Sequence, residues 1–219
     1  MAFEIASNQR RMPMPDARTM TKALHAAYDL ALTGKGPVRS VPQLSADYAG
    51  YTATTDGDVK AFLRNQDLKA GVTGFLSGCG GFITLPVALP AGMASALLIQ
   101  LRAVATIAHL YGYDPNHDAV RTMCFVCLTG SKAADLFKQA GIQATQRMAT
   151  AALKRLPGRV LIQINKRVGM RLLTKFGKTG VFNLHRGIPL LSGLISGGMD
   201  MGSTHTVGTA AKRHFRRGA

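Results

Sequence analysis

The stretch AGVTGFLSGCGGFITLPVALPAGMASALLIQL, Ala70–Leu101, decides the fold. It contains no charged residue. It opens on Gly71, Gly74, Gly78, Gly80 and Gly81, and is broken by Pro86 and Pro90. A membrane span needs roughly 20 apolar residues, so length alone permits one. Two prolines four residues apart oppose a single straight helix, because proline removes a backbone donor and clashes with the preceding turn. The pattern instead predicts a helical hairpin, its arms brought close by glycines that lack side-chain bulk. The second arm should begin near Ala91 and run to Tyr111.

Outward from this segment, the apolar period is helical. Asp16–Leu32 places Leu24, Ala27, Tyr28 and Ala31 at helical spacing, and Gly34 ends it. Gly34–Gly50, with Pro37 and Pro42, reads as a linker. Thr55–Lys69 carries Val59, Phe62, Leu63 and Leu68 on one stripe, with Asp56 or Asp58 available as a cap. His117–Gly130, Ser131–Gly141 and Gln143–Leu156 read as shorter helices. Arg159–Phe176 is amphipathic, with Val160, Leu161, Ile164, Val168 and Leu172 on one side. Gly187–Gly208 is a second Gly-rich apolar stretch. No strand alternation stands out, so the expected fold is all-α: a compact multi-helix bundle around a Gly/Pro-rich apolar hairpin. Residues 1–54 are expected to form a tail, a helix and a linker, and 55–219 the main helical domain.

Charge is scarce and one-sided. Only 17% of residues are charged, yet 27 Lys and Arg face 11 Asp and Glu, a formal net charge of +16. After Asp118 the only acids are Asp135 and Asp200. Such asymmetry favours polyanionic partners. The expected contact surface is Lys154, Arg155, Arg159, Lys166, Arg167, Arg171, Lys175 and Lys178. The chain has no tryptophan, and this basic stretch holds only Phe176 as an aromatic. Nucleic-acid binding usually adds stacking aromatics, so anionic lipid or an acidic protein fits better.

Several motifs dissolve on inspection. Phe176-Gly-Lys-Thr179 lacks the glycine of a phosphate loop, since Leu172 occupies that position. Gly78–Gly81 fails the dinucleotide spacing at Ile83. Ser77, Ser95, Ser131 and Ser196 lack the setting of a hydrolase nucleophile. Cys124-x-x-Cys127 is half of a zinc site at most, and its apolar surroundings favour buried thiols. With Cys79, the odd cysteine count argues for a reducing compartment. The first residues hold no apolar core of a signal peptide, which places the protein in the cytoplasm, at the inner membrane face if it is peripheral.

Five polar residues stand out as candidates for burial. His109, Asp114 and Asp118, with His117, gather near a helix end, where they would serve a metal or proton transfer, or simply a turn and a cap. Arg102 and Asp200 each sit in an otherwise uncharged helix and would be costly to bury alone, so they should meet each other or a polar ligand. No cofactor follows from these residues.

The run Gly71–Ala91 resembles the signature stretch of the EcsC family of bacterial proteins. Arg102, Ile107-Ala-His-Leu-Tyr-Gly-Tyr-Asp114, Leu173-Thr-Lys-Phe-Gly177 and Val207-Gly-Thr-Ala-Ala-Lys212 match the family's style, so that the likeness covers roughly Asp58–Arg217. The resemblance implies a compact helical domain and a gene neighbourhood near an ABC-type transporter. It supplies no catalytic residues. Three functions follow as expectations: a non-enzymatic membrane-associated or apolar-ligand-binding protein, a soluble accessory protein of a transporter or larger assembly, and a hydrolase-type enzyme with its site near His109–Asp118.

Overall fold

The computed structural model describes residues 16–35, 39–77, 91–130, 133–139, 153–183 and 204–216. Helix α1 (Ala17–Thr33) begins where the Asp16 side chain accepts the Thr19 N–H at 2.6 Å and ends at Gly34, whose φ of 69° suits a residue without Cβ. Both limits match the expected helix. Its buried face carries Met20, Ala23, Leu24, Ala27, Tyr28 and Ala31.

The expected linker over Gly34–Gly50 is corrected, because it contains helix α2 (Val41–Ala46). Ser40 and Gln43 form a reciprocal capping box, and Pro42 occupies the first turn, where no intrahelical N–H is needed. Proline here starts a helix instead of preventing one. Val41 and Leu44 enter the core. Residues of α1 and α2 belong to the same hydrophobic core as α3, α4 and α5.

Helix α3 (Thr55–Ser77) outruns the expected end at Lys69 and takes in Gly71 and Gly74. Its start is corrected too. Thr54, not Asp56 or Asp58, accepts the Gly57 N–H at 3.1 Å. Helix α4 (Ala91–Leu110) follows. The opening segment thus supplies the end of α3 and the beginning of α4, while Pro86 and Pro90 lie outside the described residues. The two helices pack together, and Tyr111 just beyond α4 bonds Asp56 at the start of α3, so they run antiparallel.

Helix α4 has no polar face. Ala94, Leu97, Leu98, Gln100, Leu101 and every residue from Ala103 to Ala108 are buried. A helix apolar all round is either a core helix or a membrane span. Here α1, α2, α3 and α5 cover it, and no helix among the described residues is long and apolar enough to cross a membrane. Each fully buried Leu or Ile on α4 contributes about 1.5–3 kcal/mol.

Helices α5 (Asp118–Cys127) and α6 (Ala133–Gln139) come next, then α7 (Gly158–Asn183). A C-terminal helix spans residues 204–215 and buries Val207, Ala211 and Phe215, the last edge-on to Tyr113. Most of Gln143–Leu156 and of Gly187–Gly208 lies outside the described residues. No β-strand occurs among the described residues, and the fold is all-α.

Helix α7 packs against α1 and α5. The approach to α1 is close because Gly169 faces it. A Cβ there would stand 2.8 Å from Thr21 Oγ1, which already donates to the Ala17 carbonyl. Gly169→Ala should therefore destabilise the protein by about 1–3 kcal/mol. Gly158→Ala, with nothing within 4 Å of the added carbon, should be neutral. Urea unfolding of the two variants checks the contrast.

Candidate functional site

Helix α7 turns Leu161, Ile164, Val168 and Leu172 inward, with Val160 half-buried at the edge. Its outer face is mixed. Arg159, Gln163, Lys166 and Arg167 are exposed, and so are Ile162 and Met170, at 56% and 55% of their full surface. Ile162, Lys166 and Met170 stand four residues apart, so they form one column. Two large apolar side chains thus stand in water on either side of a lysine. These two were not expected. The available signal was that the apolar residues of Arg159–Phe176 exceed what one buried stripe accommodates.

The expected basic residues divide by what they touch. Lys154 lies over the Tyr113 ring at 5.3 Å. Arg167 donates to the Gln139 carbonyl at 2.7 Å, tying α7 to the end of α6. Arg171 is half-buried. Lys175 is exposed, but nearby protein desolvates its ammonium group enough to lower its pKa. The side chain of Lys178 lies outside the described residues. Arg155, Arg159 and Lys166 are exposed and have no acidic partner among the described residues. These three, with Ile162 and Met170, form a basic face studded with apolar groups.

The basic C-terminus is engaged differently. Asp56 receives the Tyr111 hydroxyl at 2.9 Å and Lys212 Nζ at 3.0 Å, with Arg216 Nε at 3.5 Å and Lys60 Nζ at 3.7 Å. One carboxylate therefore joins the start of α3, the end of α4 and the C-terminal helix. Desolvation raises the Asp56 pKa, but the bonds from Lys212 and Tyr111 outweigh it, and the group titrates below its ordinary 3.8. Burial and the neighbouring carboxylate push the Tyr111 hydroxyl upward.

The expected polar candidates are not gathered into one site. His109, Asp114 and Asp118 are exposed instead of buried, because α4 ends at Leu110 and the chain turns outward. Two shallow surface depressions share His109 in their walls, one with Asp58 and the other with Asp114. Both carboxylates are committed elsewhere. Asp58 accepts from Gly50 N–H, Thr52 N–H and the Thr52 hydroxyl, while Asp114 accepts from the backbone and side chain of Asn116. No hydrogen bond joins His109 to either. Asp114 serves the turn, but the cap of α5 is His117, whose Nδ1 accepts the Ala119 N–H, and not Asp118. No group of His, Cys, Asp or Glu suited to a metal ion occurs among the described residues.

Cys124 and Cys127 are fully buried, and burial drives both thiols up, Cys124 to about 12. Thiols held protonated are poor nucleophiles. Tyr28 donates to the Pro115 carbonyl at 2.8 Å and lies 3.7 Å from Cys124 Sγ. Beside it Arg121 pairs with Asp29 at 3.0 Å and stacks over the Tyr28 ring at 5.1 Å. This knot joins α1 to α5. Arg102 is partly buried on α4, and its suggested partner Asp200 lies outside the described residues.

A comparison with known families matches residues 6–217 to the model of the EcsC protein family. The match reaches well before Asp58, where the likeness of the motifs begins. No curated protein and no solved structure matches the chain.

Because the Asp56 pKa is lower folded than unfolded, its contribution is fully present above about pH 4 and is lost as pH falls through the folded value. Asp56→Asn should cost roughly 1–2 kcal/mol at pH 7 and flatten the loss of stability on acidification. Unfolding measured from pH 7 to pH 3, with hydrogen exchange across 204–215, checks both.

Proposed function

The chain belongs to the EcsC protein family, a membership that carries no reaction with it, and we propose that the protein is a non-enzymatic peripheral protein that lies on anionic membrane through the outer face of α7. The observation that carries this reading is the column Ile162–Lys166–Met170, with its exposed apolar ends and Arg155 and Arg159 nearby without acidic partners among the described residues.

Two forces act together on such a face. Each Lys or Arg near an anionic leaflet contributes about 1 kcal/mol. Ile162 and Met170 add apolar burial at the boundary of headgroups and chains. A solvated basic face alone does not explain Ile162 and Met170, which gain nothing from water. The absence of a span-length helix among the described residues accords with lying on the surface, and the cytoplasmic leaflet is the anionic surface this reading assigns. A soluble accessory role would present the same face to an acidic protein.

Vesicle sedimentation tests the proposal. Phosphatidylglycerol vesicles should bind the protein, phosphatidylcholine vesicles should not, and 0.5 M salt should release much of it. Lys166→Glu should weaken binding about tenfold or more. The double variant Ile162→Ser, Met170→Ser should weaken it at unchanged net charge. Equal binding to both vesicle types, or none to either, refutes the reading.

A further inference from the structure

Four donor groups converge on the Asp56 carboxylate at the start of α3. Its Oδ1 accepts the Tyr111 hydroxyl at 2.9 Å and faces Arg216 Nε at 3.5 Å. Its Oδ2 accepts from Lys212 Nζ at 3.0 Å and faces Lys60 Nζ at 3.7 Å. A carboxylate offers about four acceptor positions, so this one is filled. Lys60, Lys212 and Arg216 are all cations, and one negative charge stands against the three of them. Asp58, the next acid along α3, is buried and accepts from Gly50 and Thr52, so it does not make up the difference.

The cations also keep donors in reserve. Lys60 is too far from Asp56 for a hydrogen bond, and its side chain is 68% exposed. Arg216 is 54% exposed and turns Nε toward Asp56, so the fork of its two terminal nitrogens is unused among the described residues. Arg121 and Asp29, by contrast, balance one charge with one. The surplus also sits on elements far apart in the chain, with Lys60 on α3 and Lys212 and Arg216 at the end of the C-terminal helix. Gly208 lets that helix lie directly on Leu63 of α3, and Phe215 is buried. Packing therefore positions the cations before any ligand arrives, which lowers the cost of binding one.

We propose that Lys60 and Arg216, together with Lys212, form a binding site for a phosphate-type dianion where the C-terminal helix meets the start of α3. A phosphate monoester carries nearly two negative charges and three acceptor oxygens near neutral pH. Its charge matches the surplus at Asp56, and two of its oxygens match the free fork of Arg216. Inorganic phosphate and the phosphate monoester of a lipid headgroup share this chemistry. The ligand touches α3 and the C-terminal helix together, so it clamps one on the other. The site uses no residue of the outer face of α7.

The test uses the full chain, wild type against Lys60→Gln, Arg216→Gln and the double variant. Both side chains stand largely in water, so in chloride all three variants should unfold close to wild type. At pH 8 and constant ionic strength, inorganic phosphate should raise the unfolding temperature of wild type with increasing concentration. It should also slow amide exchange across 204–215. Phosphate stabilises proteins in general by exclusion from their surfaces. The readout is therefore the part of the rise that each single variant shrinks and the double variant loses. If the source is a headgroup, inorganic phosphate will do little. Wild type will then prefer phosphatidic acid vesicles to phosphatidylglycerol vesicles of matched surface charge by about tenfold or more, and the double variant will show no preference. Lys166→Glu will bind both lipids more weakly but keep the preference, which separates this site from α7. The proposal is overturned if phosphate stabilises wild type and the double variant alike and the two also share the same lipid preference.

Discussion

A helix without a polar face has to be covered on every side, and α4 imposes that condition on the chain. Leu97, Leu98, Leu101, Val104 and Ile107 point in different directions around its axis, and all are buried. No single neighbour can cover them. Helices α1, α2, α3 and α5 therefore surround α4, and α7 packs on the outside of α1 and α5. The hairpin of α3 and α4, the short helix α2 and the close contact at Gly169 all serve this enclosure.

The enclosure leaves few places for charge, and the scarcity of acids decides how it is shared. Asp29 neutralises Arg121, Asp47 holds Arg39, and Asp56 gathers Lys212, Arg216 and Lys60. Each of these carboxylates joins segments distant in sequence or closes a short helix. Asp58 and Asp114 go to backbone turns instead. Arg155, Arg159 and Lys166 on the outside and Arg102 on the inside are left without acidic partners among the described residues. The outer group meets water and can wait for an anionic surface at little cost. Arg102 is only partly buried, with its Nε enclosed.

The same scarcity shapes the surroundings of His109. A general base needs a group to orient it or shift its pKa. The carboxylates closest to His109 in the surface depressions are occupied by N–H and hydroxyl donors. The thiols of Cys124 and Cys127 are sealed in the core.

Much of the fold was legible in the sequence, because it rests on local rules. Asp16 and Gly34 bound α1 through the capping and left-handed preferences of single residues, and the helical period of α7 picked out its inner face. The uncharged segment announced that part of the chain must leave water. Other features depended on which elements meet. Pro42 read as a break until Ser40 and Gln43 closed a cap around it. Asp56 looked like a cap for α3, whereas it receives Lys212 and Arg216 from the far end of the chain. Ile162 and Met170 pass for core residues in the sequence, since hydrophobicity has no direction until a helix is docked. The sequence by itself determined that this is a helical, basic chain with a long uncharged segment, because periodicity, caps and net charge are properties of neighbours along the chain. Only the tertiary structure decided which charges are neutralised and which apolar side chains face water, because both depend on distances between residues that the sequence holds far apart.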